Sequence, residues 1–108
     1  MTHTIVLFDI RCAKVSNELN PVYRIFIKDT LVVERPFWPK SPDYYINEQL
    51  TMTNDGKLYN IHVKNVFPDR GDVFIHDIKF VNGNDMSPVD IKHMMLNNNA
   101  FTFTLPKR

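Results

Sequence analysis

Two runs of residues decide the fold class of this chain: Leu58-Tyr-Asn-Ile-His-Val-Lys64 and Val73-Phe-Ile-His-Asp-Ile-Lys-Phe-Val81. Apolar residues alternate with polar ones over residues 60–64 and 77–80 of these runs, which is the pattern of a half-buried β-strand. The segment that joins them, Asn65-Val-Phe-Pro-Asp-Arg-Gly-Asp72, is an acidic turn across which the two strands could pair. Alternating strands around a loop of carboxylates and amides are typical of β-sandwich modules that present a ligand or a metal.

The same alternation predicts strands along most of the chain. Asn54-Asp-Gly-Lys57 is a strong hairpin turn, because Asp-Gly tolerates the positive φ that twisted hairpins need. One short helix is predicted over residues 88–96, where Ser87 supplies an N-cap and Pro88 the first helical position. The other predicted strand segments are residues 6–12, the hairpin of residues 22–35 with its turn at Lys28-Asp-Thr30, residues 44–53 and residues 101–105.

These segments predict a single domain over residues 1–108, an all-β, antiparallel, two-sheet β-sandwich with at most one short helix. Its length is near the commonest domain size and suffices for a core without disulfides. The alternation predicts these core positions: Phe8, Ile10, Ile25, Ile27, Ile61, Val63, Phe74, Ile78, Phe80, Phe101 and Phe103.

Charge and terminal sequence exclude several classes of partner. The net charge is +1, and no run of Lys or Arg is longer than Lys107-Arg108, so we expect no nucleic-acid partner. The segment Met1–Asp9 lacks both the basic start and the apolar core of a signal peptide, and no segment is long and apolar enough to span a membrane. We therefore expect synthesis in a cytoplasm and no membrane partner.

The acidic turn is the candidate metal site. Calcium takes six to eight oxygen ligands, and Asn65, Asp69 and Asp72 offer carboxylate and amide oxygens. The alternative is that these residues only form a turn, since Asn, Asp, Pro and Gly favour turns through their own backbone preferences and local hydrogen bonds. Asp77, within an otherwise apolar strand, is either a further ligand or a partly buried Asp that hydrogen-bonds a neighbouring strand or loop.

A Pro-rich connection concentrates aromatic side chains. Pro36, Pro39 and Pro42 exclude a central strand there. Planar rings on such a loop would stack on a sugar or fill a partner's pockets, while the alternative places Trp38 over one end of the core. The candidate ligand or partner contacts are Phe37, Trp38, Tyr44 and Tyr45.

Nothing in the sequence predicts an enzyme. There is no Gly-rich phosphate loop, no Gly-x-Ser-x-Gly and no His-Glu-x-x-His. The four histidines are dispersed, and the single cysteine, Cys12, sits in an alternating apolar run where a buried core residue is expected. No cofactor is required, and calcium is the one candidate ion.

Residues 22–83 resemble the calcium-dependent, xylan-binding carbohydrate-binding modules. The likeness lies in the hairpin Tyr23-Arg-Ile-Phe-Ile-Lys-Asp-Thr-Leu-Val32, in Ile61-His-Val-Lys-Asn65 followed by Asp69-Arg70, and in Val73-Phe-Ile-His-Asp-Ile-Lys-Phe-Val-Asn-Gly83. The resemblance implies a jelly-roll sandwich, a calcium ion and a glycan ligand.

Two functions follow as hypotheses. The first is a non-catalytic structural component of a phage virion, such as a capsid decoration, tail or fibre protein, made in the host cytoplasm. It would contact other protein subunits, or further copies of itself, and an Asn/Lys/Asp-rich, Gly-poor composition fits such an origin. The alternative is a calcium-assisted carbohydrate-binding module.

Overall fold

The computed structural model describes residues 2–15, 19–39, 41, 43–91 and 94–107. These residues form eight strands and one turn of 3-10 helix at Pro68–Arg70. The strands are β1 (His3–Ala13), β2 (Val22–Ile27), β3 (Thr30–Pro36), β4 (Ile46–Thr53), β5 (Leu58–Asn65), β6 (Asp72–Asn82), β7 (Met95–Asn97) and β8 (Ala100–Thr104).

The strands form two antiparallel sheets that pack face to face. The three-stranded sheet has the order β4-β1-β6, and the five-stranded sheet has the order β3-β2-β5-β8-β7. Only β2–β3 and β7–β8 are hairpins among the described strands, and every other pair of successive strands lies in opposite sheets. The predicted all-β, antiparallel β-sandwich is confirmed.

The hairpin predicted at residues 54–57 is wrong, and the strands on either side of the acidic turn do not pair either, since each turn leads from one sheet to the other. Asp55 accepts hydrogen bonds from the backbone N–H of Lys57, at 3.0 Å, and from the hydroxyl of Tyr59, and Gly56 has the expected positive φ of 72°. The turn chemistry is therefore present, yet β4 and β5 do not pair. The acidic turn likewise separates β5 from β6. Local turn residues set the backbone of a reversal, but the apolar faces of the flanking strands decide whether the strands pair or oppose one another across the core.

The predicted helix over residues 88–96 is also wrong for the residues that the structure describes there; residues 92 and 93 lie outside them. Pro88 forms a β-bridge with Val81, and the segment ends in β7. Ser87 does not cap a helix, because its backbone N–H and its hydroxyl both donate to Asp85 Oδ1, at 3.0 and 2.7 Å. This bonding holds the pKa of Asp85 below its usual value.

Aromatic rings from both sheets meet in the core. Phe8 of β1 contacts Phe101 edge to face, with 5.6 Å between ring centroids, and Phe101 stacks on Phe103 at 5.7 Å. Phe80 of β6 packs on Phe103 at 5.0 Å. Of the predicted core, these are fully buried: Phe8, Ile10, Ile25, Ile61, Val63, Phe101 and Phe103, whereas Ile27, Ile78 and Phe80 pack partly buried against them.

The predicted burial of Phe74 is wrong, because a β-bulge divides β6. Leu7 pairs with Lys79 and Asp9 with His76, so one residue of β1 faces two residues of β6. Asp77 sits in the bulge with φ 54°, a conformation that Asp tolerates better than most residues. The bulge reverses the alternation: Val73 and Ile75 face the core before it, Ile78 and Phe80 after it. Phe74 is consequently 41% exposed. Asp77 is exposed too, rather than partly buried as one reading of the sequence predicted.

Candidate functional site

A polar cleft of about 430 Å³ lies between the two sheets, where the acidic turn passes the β7–β8 hairpin turn. It lies beside β6, which is an edge strand of the three-stranded sheet. Side chains that can accept or donate hydrogen bonds and one exposed aromatic ring line most of its wall. The lining residues are Asn65, Asp72, Val73, Phe74, Ile75, His76, Asn98 and Asn99.

Amide groups hold the walls of this cleft in place. Asn65 Nδ2 donates to the carbonyl oxygen of Gly71 at 2.8 Å and so closes the acidic turn on itself. Asn99 Nδ2 donates to the carbonyl oxygen of Val73 at 2.8 Å and ties the β7–β8 turn to β6. Gly71 is buried with φ 145°, and an added Cβ would lie 3.2 Å from the carbonyl oxygen of Ala13. The turn therefore has little room to rearrange.

One acceptor in the cleft has no partner. Asn65 Oδ1 is buried and receives no hydrogen bond from any described residue. Such an atom loses its hydration without compensation, a loss of about 1–3 kcal/mol. A bound donor or cation would satisfy it, so the orphaned oxygen marks the cleft as the candidate ligand site of the chain.

The predicted metal-binding residues are only partly brought together. Asn65 and Asp72 line the cleft, whereas Asp69 lies exposed in the 3-10 turn and does not line it. Asp72 has a weak ion pair with Lys14, at 3.9 Å, and both side chains are well exposed. Across the residues the structure describes, no group of three or more His, Cys, Asp or Glu side chains is arranged to hold a metal ion. Any cation in the cleft would therefore rely on amide and main-chain oxygens as well.

The four predicted aromatic contacts separate into core and surface. Phe37 is buried and meets Tyr44 edge to face, with 5.2 Å between the ring centroids. Trp38 is 63% exposed, and Tyr45 is exposed beneath the guanidinium of Arg11, 4.9 Å from its ring centre. Phe37, rather than Trp38, therefore fills the core beneath this connection, and Trp38 and Tyr45 are free to meet a ligand or partner.

A buried polar cluster joins the two sheets at the opposite edge of the sandwich. Glu48 of β4 is 2% exposed, and its Oε2 accepts from the Tyr23 hydroxyl at 2.5 Å and from Arg35 Nε at 2.6 Å. Burial raises the pKa of Tyr23, and the hydrogen bond to Glu48 raises it further. The hydrogen bond to Glu48 likewise raises the pKa of Arg35. Because Tyr23 and Glu48 are buried, this cluster links the two sheets inside the sandwich and exposes only part of Arg35.

Sequence analysis missed this cluster, although β4 carries its signal. The core-facing positions of β4 are Ile46, Glu48, Leu50 and Met52, so a carboxylate interrupts an otherwise apolar face. A buried carboxylate requires a cation or several donors. The partners could not be identified, because they lie on strands whose pairing the sequence does not specify.

Three further reactive side chains lie on the strands: Cys12 in β1, His62 in β5 and His76 in β6. Cys12 is half-buried, and burial raises the pKa of its thiol to about 12, which suppresses the nucleophilic thiolate at neutral pH. His62 and His76 are exposed on strands of different sheets. His93 lies outside the described residues.

Apolar side chains project from one edge of the five-stranded sheet. Met95 and Leu96 of β7, and Met94 before it, are all exposed, Met95 by 71%. Met94 also borders a cleft of about 450 Å³ beneath the β6–β7 connection. That cleft is mainly apolar and is lined by Ile78, Lys79, Phe80, Val81, Pro88, Val89, Ile91 and Met94.

Comparison with protein families, with curated proteins and with solved structures found no significant match. Within the described ranges, no helix has the length and apolar character that crossing a bilayer requires.

Proposed function

We propose that this chain is a non-catalytic structural subunit that docks onto another protein through edge strand β7, as a component of a phage particle. The observation that carries the proposal is the apolar edge formed by Met94, Met95 and Leu96. Natural proteins protect the outer strand of a sheet with charges, proline or a covering loop. β7 carries neither a charge nor a proline, and its side chains are exposed.

An edge of this kind suits a strand supplied by a neighbouring subunit. The outer backbone groups of β7 would pair with the added strand, and the side chains of that strand would find specific pockets. The apolar cleft beside Met94 supplies such a pocket. Methionine adapts its shape to a partner, which favours it at binding surfaces. Trp38 and Tyr45, at the other edge of the sandwich, are a second source of anchors for an assembly with several contacts.

Met95→Lys should lower incorporation of the chain into phage particles at least about tenfold. The lysine would place an unpaired charge in the proposed interface, where a residue central to the contact contributes about 2 kcal/mol or more. Wild type and variant would be co-expressed with distinct isotope labels, and mass spectrometry of purified particles would give their ratio. Cross-linking should join the peptide that contains Met95 to another subunit.

Leu58→Lys is the matched control, since Leu58 is an exposed apolar residue in β5, away from the β7 edge. We expect it to be incorporated as wild type is. A chain absent from every particle, or equal losses in the two variants, would reject docking through β7.

A second candidate is a calcium-assisted carbohydrate-binding module, and the unpartnered Asn65 Oδ1 favours it. Calcium accepts amide oxygens as ligands, and Asp72 lines the same cleft. Phe74 and His76 beside it supply a ring edge and a hydrogen-bonding ring to a sugar bound there.

Calcium at ten times its dissociation constant should stabilise the chain by about 1.4 kcal/mol, or raise its melting temperature by about 5 °C. The effect arises because only the folded chain assembles the cleft. Melting would be followed by circular dichroism with calcium, with magnesium and with chelator, and Asp72→Ala should abolish the rise. Asp69→Ala is the matched control, since Asp69 does not line the cleft. Superimposable melting curves with calcium and with chelator would mean that the acidic turn binds no calcium and that its Asn and Asp residues only form the turn.

A further inference from the structure

Four positively charged or ionisable side chains gather on the outer face of the five-stranded sheet, although they are scattered in the sequence. The register of β2 on β5 sets Arg24 opposite Lys64 and Phe26 opposite His62, and all four point away from the core. Lys28 follows directly in the β2–β3 turn. These residues define the cationic face: Arg24, Phe26, Lys28, His62 and Lys64.

Only one of the charges of this face, that of Arg24, has an ion pair within the described residues. Like charges directly opposite each other on a sheet are destabilising, and Arg24 faces Lys64. Glu34 compensates Arg24, with 3.0 Å between Oε1 and Nε. Within the described part of the chain Lys64 has no ion pair, and Lys28 lies over the ring of Tyr59, 4.7 Å from its centre. The face therefore keeps two lysine charges that a bound anion would satisfy.

Between these charges lies an aromatic platform. The rings of Phe26 and His62 are stacked at 28° to one another with their centroids 6.3 Å apart, so two planar side chains stand together on this face. A groove of about 320 Å³ runs over it, lined by Phe26, Lys28, Asp29, Asn60, His62 and Lys64. Asp29 is the single carboxylate and Asn60 the single amide of that lining.

We propose that the cationic face binds single-stranded nucleic acid. Proteins that bind single strands combine a positively charged groove for the phosphates with aromatic rings on which the bases stack. The cationic face supplies both elements in one groove. A neutral sugar would need many directional hydrogen bonds, and those groups are concentrated in the polar cleft instead. An acidic polysaccharide would use the lysines but would leave the stacked rings of Phe26 and His62 without a planar partner.

This inference differs from the expectation drawn from the sequence. No nucleic-acid partner is expected where basic residues are dispersed, because a contiguous positive run is the usual signal. Strand pairing brings basic residues that are distant in the sequence next to one another, as it does residues 24 and 64. The inference is independent of docking through β7, which uses the outer edge of the same sheet rather than the β2–β5 region of its face.

The test is fluorescence anisotropy with labelled single-stranded DNA oligonucleotides, using the full chain over a range of salt concentrations. We expect binding that weakens with salt with a slope of about −1.4 in log K against log salt concentration, as two phosphate contacts, one for each unpaired lysine, require. Lys64→Glu should weaken binding at least about tenfold at low salt. Phe26→Leu should weaken it about tenfold through lost stacking while leaving the salt slope unchanged.

Lys79→Glu is the matched control, because Lys79 is an exposed lysine on the three-stranded sheet and the charge change is identical. It should bind as wild type does, and circular dichroism should show all three variants folded. Four results would overturn the proposal: no binding at low salt, equal weakening by Lys79→Glu, equal affinity for duplex DNA, or tighter binding of an acidic polysaccharide that depends on Lys64. Tighter binding of the polysaccharide would assign the face to a glycan. Equal affinity for duplex DNA would mean that the face binds DNA through charge attraction alone.

Discussion

Phe8→Ala should destabilise the chain by about 3–5 kcal/mol, which is the usual loss for removing a buried aromatic ring. Phe8 has no exposed surface and lies on the central strand of the three-stranded sheet, where its ring contacts Phe101 of the opposite sheet. Removing the ring would leave a cavity between the two sheets. The β-bulge of β6 lies opposite Phe8, so no regularly paired strand is there to move in and fill the cavity. A domain of this size is stable by about 5–15 kcal/mol, so the loss is a large share of the total. Urea unfolding gives the measurement, provided that the m-value is unchanged.

Phe74→Ala is the matched control for this prediction. The two substitutions are chemically identical, but Phe74 lies on the solvent side of β6, ahead of the bulge. We expect its loss to be below about 1 kcal/mol, since surface substitutions seldom have larger effects. If Phe74→Ala were as destabilising as Phe8→Ala, the assignment of a bulge at Asp77 would be wrong. The residues of β6 assigned to the core-facing side would then be wrong as well.

The fold class was predictable because alternation is a local property that a sandwich imposes on each of its strands. β1 and β8 follow their predicted faces from end to end, and the β2–β3 hairpin follows from its short turn. The errors arose where the three-dimensional partner decides the outcome. An Asp-Gly turn, such as the one at residues 55 and 56, can reverse the chain within a hairpin or in a connection between two sheets. Only the burial of the apolar faces of β4 and β5 in the core from opposite sheets distinguishes the two.

The sequence located only part of the polar cleft, for a related reason. Asn65 and Asp72 were identified because they stand within one turn, and the structure places both in the polar cleft. The other half of the cleft comes from Asn98 and Asn99, about thirty residues further along the chain. The predicted helix over residues 88–96 concealed their role, since a helix there would not set the β7–β8 turn beside β6. Asp77 was a usable signal, because a lone carboxylate in an apolar strand can mark a bulge.

Arg35→Met should destabilise the chain by about 3 kcal/mol, the lower end of the usual loss when one partner of a buried ion pair is removed. Glu48 would remain buried with its charge and only the Tyr23 hydroxyl as donor. The side chain of Arg35 is itself 49% exposed, and the methionine keeps most of its apolar contact, so the loss reports on Glu48. Urea unfolding at neutral pH measures it.

Arg24→Met supplies the matched comparison on the neighbouring strand. Arg24 also binds a glutamate through Nε, but its partner Glu34 is 50% exposed. Solvated ion pairs contribute about 0–1 kcal/mol, so this variant should be nearly as stable as wild type. The double substitution of Arg35 by Met and Glu48 by Leu should recover part of the stability lost in Arg35→Met, because it leaves no buried charge and only the Tyr23 hydroxyl loses its acceptor. A double variant as unstable as Arg35→Met, or similar losses for Arg24→Met and Arg35→Met, would contradict this account. Either result would mean that the burial of Glu48 is not the reason why substitution of Arg35 destabilises the chain.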